Sequence, residues 1–273
     1  MSNKIKNVSV IGIGFLGRLI TERTALYDYN VRIYDINPQS LDKLAKSLTR
    51  KKKRNNLFGE VSFHNNLSEA VADADLIIEA VPEKLELKKV VFSQIDKAAP
   101  PHAIIATNSS SIPVSRIEDA VERKEKVLNI HFYMPNTTPM VDIMRGSQTS
   151  DDTFKKGKNW IESLELTPLE VKKECLGFVF NRIWRAIKKE CLKIWAGGYA
   201  DIETVENAWK IFTGMGIGPF KLMDAVGLDV VYDIEMSYYN ESGDPNDKPP
   251  QDLKDMVDRG ELGIKSGKGF YKY

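Results

Sequence analysis

His131 closes the apolar run KVLNIHF, and Asp142 follows it by 11 residues across a proline-containing turn. An imidazole titrates near neutrality and can move a proton on and off an alcohol. A carboxylate behind it fixes the tautomer and stabilises the cationic form. Four small polar residues, Asn108-Ser109-Ser110-Ser111, end another apolar run, and a hydroxyl there can bond a substrate oxygen or simply cap a turn. Near the N-terminus the strand-like VSVI runs into Gly12-Ile13-Gly14-Phe15-Leu16-Gly17. Gly12 allows the tight turn, Gly14 the approach of a pyrophosphate, and Gly17 the close packing of helix on strand. Asp35 ends the next β-branched run, 18 residues past Gly17, where a carboxylate can accept hydrogen bonds from a ribose diol. It would repel a 2′-phosphate, and Ile36 and Asn37 supply no cation, so the cofactor expected is NAD rather than NADP. Nicotinamide with a proton-transferring histidine is the equipment of alcohol–ketone redox chemistry. No Cys-His zinc pattern is present to take that role.

These residues need a scaffold that brings them together. Up to about residue 173, strand-like and helix-like segments alternate, which predicts an α/β, Rossmann-type, mostly parallel sheet. Strands are expected at 7–12, 30–35, 60–64, 75–80, 102–107, 126–132 and 168–173, with helices at 18–27 and 84–97. Ligands of such sheets bind beyond the carboxyl ends of the strands. That rule puts His131 on the cofactor side, places His102 at the opposite edge because it opens a strand, and leaves His64 as a polar turn residue. From Cys175 onward helical spacing dominates, at 178–195, 202–212 and 222–239. Residues 1–173 thus form the dinucleotide-binding domain and 174–273 a helical C-terminal domain, with GDPNDKPP (243–250) as a loop within it.

Composition narrows the partners. The 273 residues carry a net charge of +1, with 28% charged and 42% hydrophobic residues. Such a chain has no general pull toward nucleic acid or membrane. The N-terminus enters its first strand with no room for a signal peptide, and Cys175 and Cys191 read as reduced thiols, so the expected location is cytoplasmic. The run Arg50–Arg54, RKKKR, is either a solvated helix end or a contact for a phosphorylated substrate.

With these motifs in their order, the chain resembles the 3-hydroxyacyl-CoA dehydrogenases and their relatives acting on other 3-hydroxy or diketo acids. The carrying stretches are VIGIGFLG, YDIN, DADLIIEAVPEKLELKK, ATNSSS, NIHF, GFVFNR, GPFKLMDAVGLD and GIKSGKGFYKY. The resemblance implies His131 as catalytic base, Ser110 on the substrate's 3-oxygen, and Asn181 reaching the active site from the second domain. It puts Glu83, Lys88, Asn108 and Lys265 on the cofactor side and implies a homodimer. Three departures bear on substrate. Met134 stands where the family has asparagine, Asp142 stands one residue short of the family's glutamate, and the 36–74 segment is shorter than in the acyl-CoA enzymes. The substrate is therefore an acyl-CoA or a free 3-hydroxy or diketo acid, and a non-catalytic NAD-binding protein is the remaining alternative.

Overall fold

A computed structural model of the chain describes residues 4–54 and 58–273. It divides into two compact units, one ending at Val179 and one spanning Phe180–Tyr273.

The first unit is built on an eight-stranded sheet. Its strands are β1 (Asn7–Ile11), β2 (Asn30–Tyr34), β3 (Val61–Phe63), β4 (Leu76–Glu79), β5 (Ile104–Thr107), β6 (Val127–Phe132), β7 (Met140–Arg145) and β8 (Thr167–Val171). They lie in the order β3-β2-β1-β4-β5-β6-β7-β8. Strands β1 to β6 are parallel; β7 runs against β6, and β8 runs with β7. The order reverses beside β1, which opens the crevice where such sheets bind nucleotides. Helices α1 (Phe15–Leu26), α2 (Pro38–Lys52), α3 (Leu67–Val71), α4 (Leu85–Ala98) and α5 (Asp151–Ser163) cover the two faces. Alternate strand residues enter opposite cores. Leu128 and Ile130 of β6 join Val8, Val10, Ile20, Ile33 and Trp160 on one face. Val127, at the opposite parity, joins Ile77, Ile105, Phe92 and Ile95 on the other. His131 has the parity of Val127.

Strand β7 is a correction to the sequence reading, which placed no strand between 132 and 168. Its residues MVDIMR do not alternate, so period-2 patterning misses them. An antiparallel neighbour needs only a short turn. The Met134 carbonyl supplies it by accepting the N–H groups of Thr137 at 2.9 Å and Thr138 at 2.7 Å.

The second unit consists of α6 (Phe180–Ala196), α7 (Ile202–Thr213), α8 (Pro219–Val226), α9 (Leu228–Ser242) and α10 (Gln251–Asp258) around Leu192, Phe220, Met223, Leu228, Val231 and Leu253. The single helix expected over 222–239 is two helices, and α10 was not foreseen. The break is Gly227, at φ +104°, a backbone conformation an L side chain avoids. The C-terminal motif has a structural cause. Buried Asp224 accepts hydrogen bonds from the N–H groups of Phe270 (3.0 Å) and Tyr271 (2.9 Å) and from the Tyr273 hydroxyl (2.9 Å). A Cβ at Gly269 would lie 2.1 Å from the Asp224 carboxylate, so only glycine lets the tail close over it.

Candidate active site

The carboxyl ends of the parallel strands gather the chemistry of the first unit at one edge. The glycine turn follows β1, Asp35 follows β2, Glu83 lies beyond β4, Asn108–Ser111 follow β5, and His131 lies near the end of β6.

The three glycines of the turn differ in what they are for. Gly12 has φ +95°, and a Cβ there would sit 2.7 Å from the Ala80 carbonyl oxygen. At Gly17 a Cβ would sit 1.9 Å from the Gly12 carbonyl oxygen, so helix and turn touch only because the side chain is absent. At Gly14 no atom lies within 4 Å of a Cβ. The protein has no internal need for glycine there; a ligand brought against the backbone does. Gly14 also precedes the first turn of α1, whose free N–H groups suit a pyrophosphate. Asp35 is held ready: Oδ2 accepts the Ile13 N–H at 2.5 Å and Oδ1 the Asn37 N–H at 2.7 Å. The chain thus fits a dinucleotide.

Beside the turn, a buried ionic chain supports the loop that carries Ser110. Glu79, wholly buried at the end of β4, accepts hydrogen bonds from Lys88 Nζ (2.8 Å), the Val81 N–H (2.7 Å) and the Thr107 hydroxyl (2.7 Å). Lys88 is 1% exposed and also pairs with Glu83 Oε2 at 3.2 Å. Glu83 Oε1 accepts the Ser109 hydroxyl (2.5 Å), the Ser111 hydroxyl (2.7 Å) and the Ser111 N–H (3.0 Å). Burial pushes the Glu83 carboxyl up, but the Lys88 ammonium and the serine hydrogen bonds more than offset it and hold it below its ordinary value of 4.5. Its contribution to stability is therefore complete above 4.5 and lost as the pH falls through the lower folded value. Asn108 Oδ1 accepts the Phe132 N–H at 2.9 Å, and Asn129 Nδ2 donates to the Ser109 carbonyl at 3.1 Å, tying the loop to β6. Between its bonded neighbours, Ser110 is exposed, and its hydroxyl makes no hydrogen bond among the described residues.

His131 and Asp142 face each other directly in the register of β6 against β7. Nδ1 meets Asp142 Oδ2 at 3.2 Å, while Nε2 makes no hydrogen bond among the described residues. The imidazole is 4% exposed and stacks on Phe178, with ring centroids 5.1 Å apart and an interplanar angle of 6°. The one-residue deficit before Asp142 is thus resolved by geometry: a shorter side chain on a directly opposed residue still reaches the ring. Sequence reasoning missed Phe178 and Tyr133, whose ring stands edge-on to the imidazole. Phe178 lies in the GFVFNR stretch and has φ +51°, a strained conformation for a bulky residue and often a sign of a functional site.

The other expected residues lie as follows. His102 meets Asp75 Oδ1 at 3.1 Å at the amino edge of the sheet, and His64 Nε2 meets the Ser62 hydroxyl at 2.9 Å. In the second unit, Asn181 sits half-buried in the first turn of α6, and Asp229 binds Lys265 Nζ at 2.5 Å. Of the two readings of the basic run, the geometry favours the helix end. Helix α2 leaves β2 at its carboxyl end and runs back, so its last turn reaches the opposite edge. There Lys52 lines a hollow with Asn7, Asn30 and Val61, the first residues of β1, β2 and β3. A five-residue strand of roughly 16 Å separates the two edges, about twice the screening length of physiological salt. Arg50–Arg54 therefore does not border His131, and Lys51 pairs instead with Glu22 at 2.6 Å.

Comparison with known proteins agrees with this geometry. Residues 7–175 match the family model of the NAD binding domain of 3-hydroxyacyl-CoA dehydrogenase, and residues 177–273 match the C-terminal domain of the same enzymes. The chain belongs to the 3-hydroxyacyl-CoA dehydrogenase family. It is an NAD-dependent dehydrogenase acting on a CH–OH group, with the expected α/β domain followed by a helical one. It is 33% identical to a probable 3-hydroxybutyryl-CoA dehydrogenase of Bacillus subtilis, over 99% of this chain and 98% of that one. It is 30% identical to the human mitochondrial hydroxyacyl-coenzyme A dehydrogenase, over 98% and 91% of the two chains. Among solved structures it is similar to a diketoreductase acting on dicarbonyl compounds, with a TM-score of 0.87 and 30% identity over 99% of this chain and 100% of that one. No helix among the described residues is long and apolar enough to cross a membrane.

Proposed function

We propose that this dehydrogenase interconverts a short-chain L-3-hydroxyacyl-CoA and its 3-ketoacyl-CoA, with His131 as general acid and base. The observation that carries the reading is the His131–Asp142 pair, with Nδ1 held and Nε2 unbonded among the described residues, at the edge where the glycine turn also lies. Bound NAD supplies the hydride acceptor for C3 of the substrate. The chain's residues manage the proton. Nε2 takes it from the 3-hydroxyl, and Asp142 stabilises the imidazolium that results. The Ser110 hydroxyl donates to the substrate's 3-oxygen, and Asn181 takes the catalytic role the family resemblance assigns it. In the reverse direction the imidazolium returns its proton to the nascent alkoxide. Gly12–Gly17, Asp35 and Asn108 serve the cofactor, as do Glu83 and Lys265, with Lys88 acting from beneath through Glu83. The similarity to a 3-hydroxybutyryl-CoA dehydrogenase supports a short acyl chain. NADH formation from 3-hydroxybutyryl-CoA tests the proposal.

A second reading keeps the chemistry and drops coenzyme A. It is favoured by the basic run's place at the far edge and by the likeness to a diketoreductase. Turnover of a free diketo or 3-hydroxy acid, with none of any CoA thioester, would decide for it.

Asp35 gives a separate test of cofactor choice. Asp35→Asn keeps the shape but loses the charge toward the ribose diol. It should raise the KM for NAD about tenfold or more, since a hydrogen bond to a charged group is worth roughly 1.5–3 kcal/mol. Steady-state kinetics with NAD and NADP measure this, and an unchanged NAD preference would remove the role.

The reading extends to assembly and location. The second unit exposes Ile211 (84%) and Phe212 (92%) at the end of α7. We assign this unit to a homodimer, which light scattering at micromolar concentration should report as twice the chain mass; a monomer would overturn it. Cys175 and Cys191 are unpaired, which suits a reducing cytoplasm, and burial pushes the Cys191 thiol up to about 11, which keeps it unreactive.

A further inference from the structure

Asp142 is wholly buried, and a buried carboxylate persists as an ion only where hydrogen bonds replace its hydration. It has few. Oδ1 has no partner among the described residues. Oδ2 takes two donors: His131 Nδ1 at 3.2 Å and the Tyr133 hydroxyl at 2.5 Å. The Tyr133 ring lies edge-on to the imidazole, with centroids 4.6 Å apart at 68°. The phenol and the imidazole therefore share one carboxylate oxygen, and the phenol makes the shorter bond.

We infer that Tyr133 is a positioning residue that sets the proton affinity of the His131–Asp142 pair, keeping the imidazole an available base to lower pH than the pair would alone. The inference rests on the proposed role of His131. A phenol donates most strongly to a carboxylate whose charge no imidazolium neutralises. It thus stabilises the unprotonated pair more than the protonated one and lowers the pair's hold on its proton. Among the described residues, these groups on the packed elements are uncharged or bonded elsewhere. From the segment after β8, Phe178 stacks without charge, the Cys175 thiol contacts the Phe178 carbonyl at 3.8 Å, and Glu174 accepts the Ser115 N–H. On the β5 side, Thr107 is turned to Glu79, whose charge Lys88 balances. Helix α5 packs on the far face of the sheet, through Phe154 and Trp160.

The test is Tyr133→Phe, read in two ways. The first is the NMR titration of the histidine rings, which needs no substrate. The chain has only three histidines, and His64→Gln and His102→Gln identify the remaining signal. The His131 titration should move up by about one pH unit, the scale expected for one charge-assisted hydrogen bond. The second is the acid limb of the kcat/KM profile for alcohol oxidation, which should move up by the same amount with the high-pH plateau kept within about twofold. An unmoved titration overturns the inference. So does a loss of activity uniform across pH, which marks a merely structural role. Introduced into Asp142→Asn, Tyr133→Phe should cause no further shift of the His131 signal, because no carboxylate charge remains to solvate; a further shift also overturns it. If the wild-type chain oxidises no 3-hydroxy compound while the His131 titration moves as expected, the functional reading fails and the tuning of the pair by Tyr133 stands.

Discussion

His131→Ala should lower kcat/KM for 3-hydroxybutyryl-CoA oxidation by about 10²–10⁴, the range of a positioned general base. Among the described residues, the ring is the one imidazole at the carboxyl edge of the central sheet whose Nδ1 is held by a carboxylate and whose Nε2 is unbonded. Alanine removes the proton acceptor and leaves the glycine turn and Asp35 untouched, since those belong to β1 and β2. The loss should therefore fall on kcat and kcat/KM together, with NADH affinity by fluorescence titration unchanged. A loss below about tenfold would remove His131 from the chemistry. A parallel fall in NADH affinity would show that the substitution disturbed the fold.

Lys88→Met should destabilise the chain by about 3–5 kcal/mol, the cost of breaking a buried pair by removing one partner. Lys88 is 1% exposed and lies between Glu79, which is wholly buried, and Glu83. Methionine fills much of the same volume but leaves Glu79 as a buried charge without a cation. The damage should spread to function, because Glu83 holds Ser109 and Ser111 on either side of Ser110. Adding Glu79→Gln should restore part of the stability, since the orphaned charge is then gone. Urea unfolding measures both effects, and a loss under about 1 kcal/mol for Lys88→Met would mean the chain relaxes around the vacancy.

Much of the site was legible because its causes are local. The turn after β1 needs glycine at Gly12 and Gly17, where the backbone of Ala80 and of Gly12 itself leaves no room for a Cβ. Such needs appear in the sequence as a spacing. Asp35 is legible for the same reason, since a short β-α-β unit places the end of β2 beside the turn that follows β1. The C-terminal glycines were legible as a motif only. Their cause, the buried Asp224 carboxylate over which the tail folds, lies more than 40 residues away in the chain. Within its own unit the Lys265 ammonium is paired with Asp229, a partner that no spacing in the sequence announced.

The basic run shows the opposite case. RKKKR is conspicuous in the sequence, but its meaning depends on which way α2 points. A helix that follows a strand must run back along it, and that sends Arg50–Arg54 to the edge away from His131. Strand β7 was invisible because its apolar residues do not alternate, and with it went the register that sets Asp142 across from His131.

The sequence by itself determined the cofactor, the redox class and the family, because glycine turns, strand ends and ribose-binding acids are short-range devices whose residues lie close together along the chain. Only the tertiary structure decided the environment of the base. His131, Asp142, Tyr133 and Phe178 come from β6, the antiparallel β7 and a strained segment beyond β8, and their meeting depends on strand register and long-range packing. The 11-residue spacing offered Asp142 as a partner for His131, but the register that opposes them and the rings of Tyr133 and Phe178 beside them are set by the whole sheet.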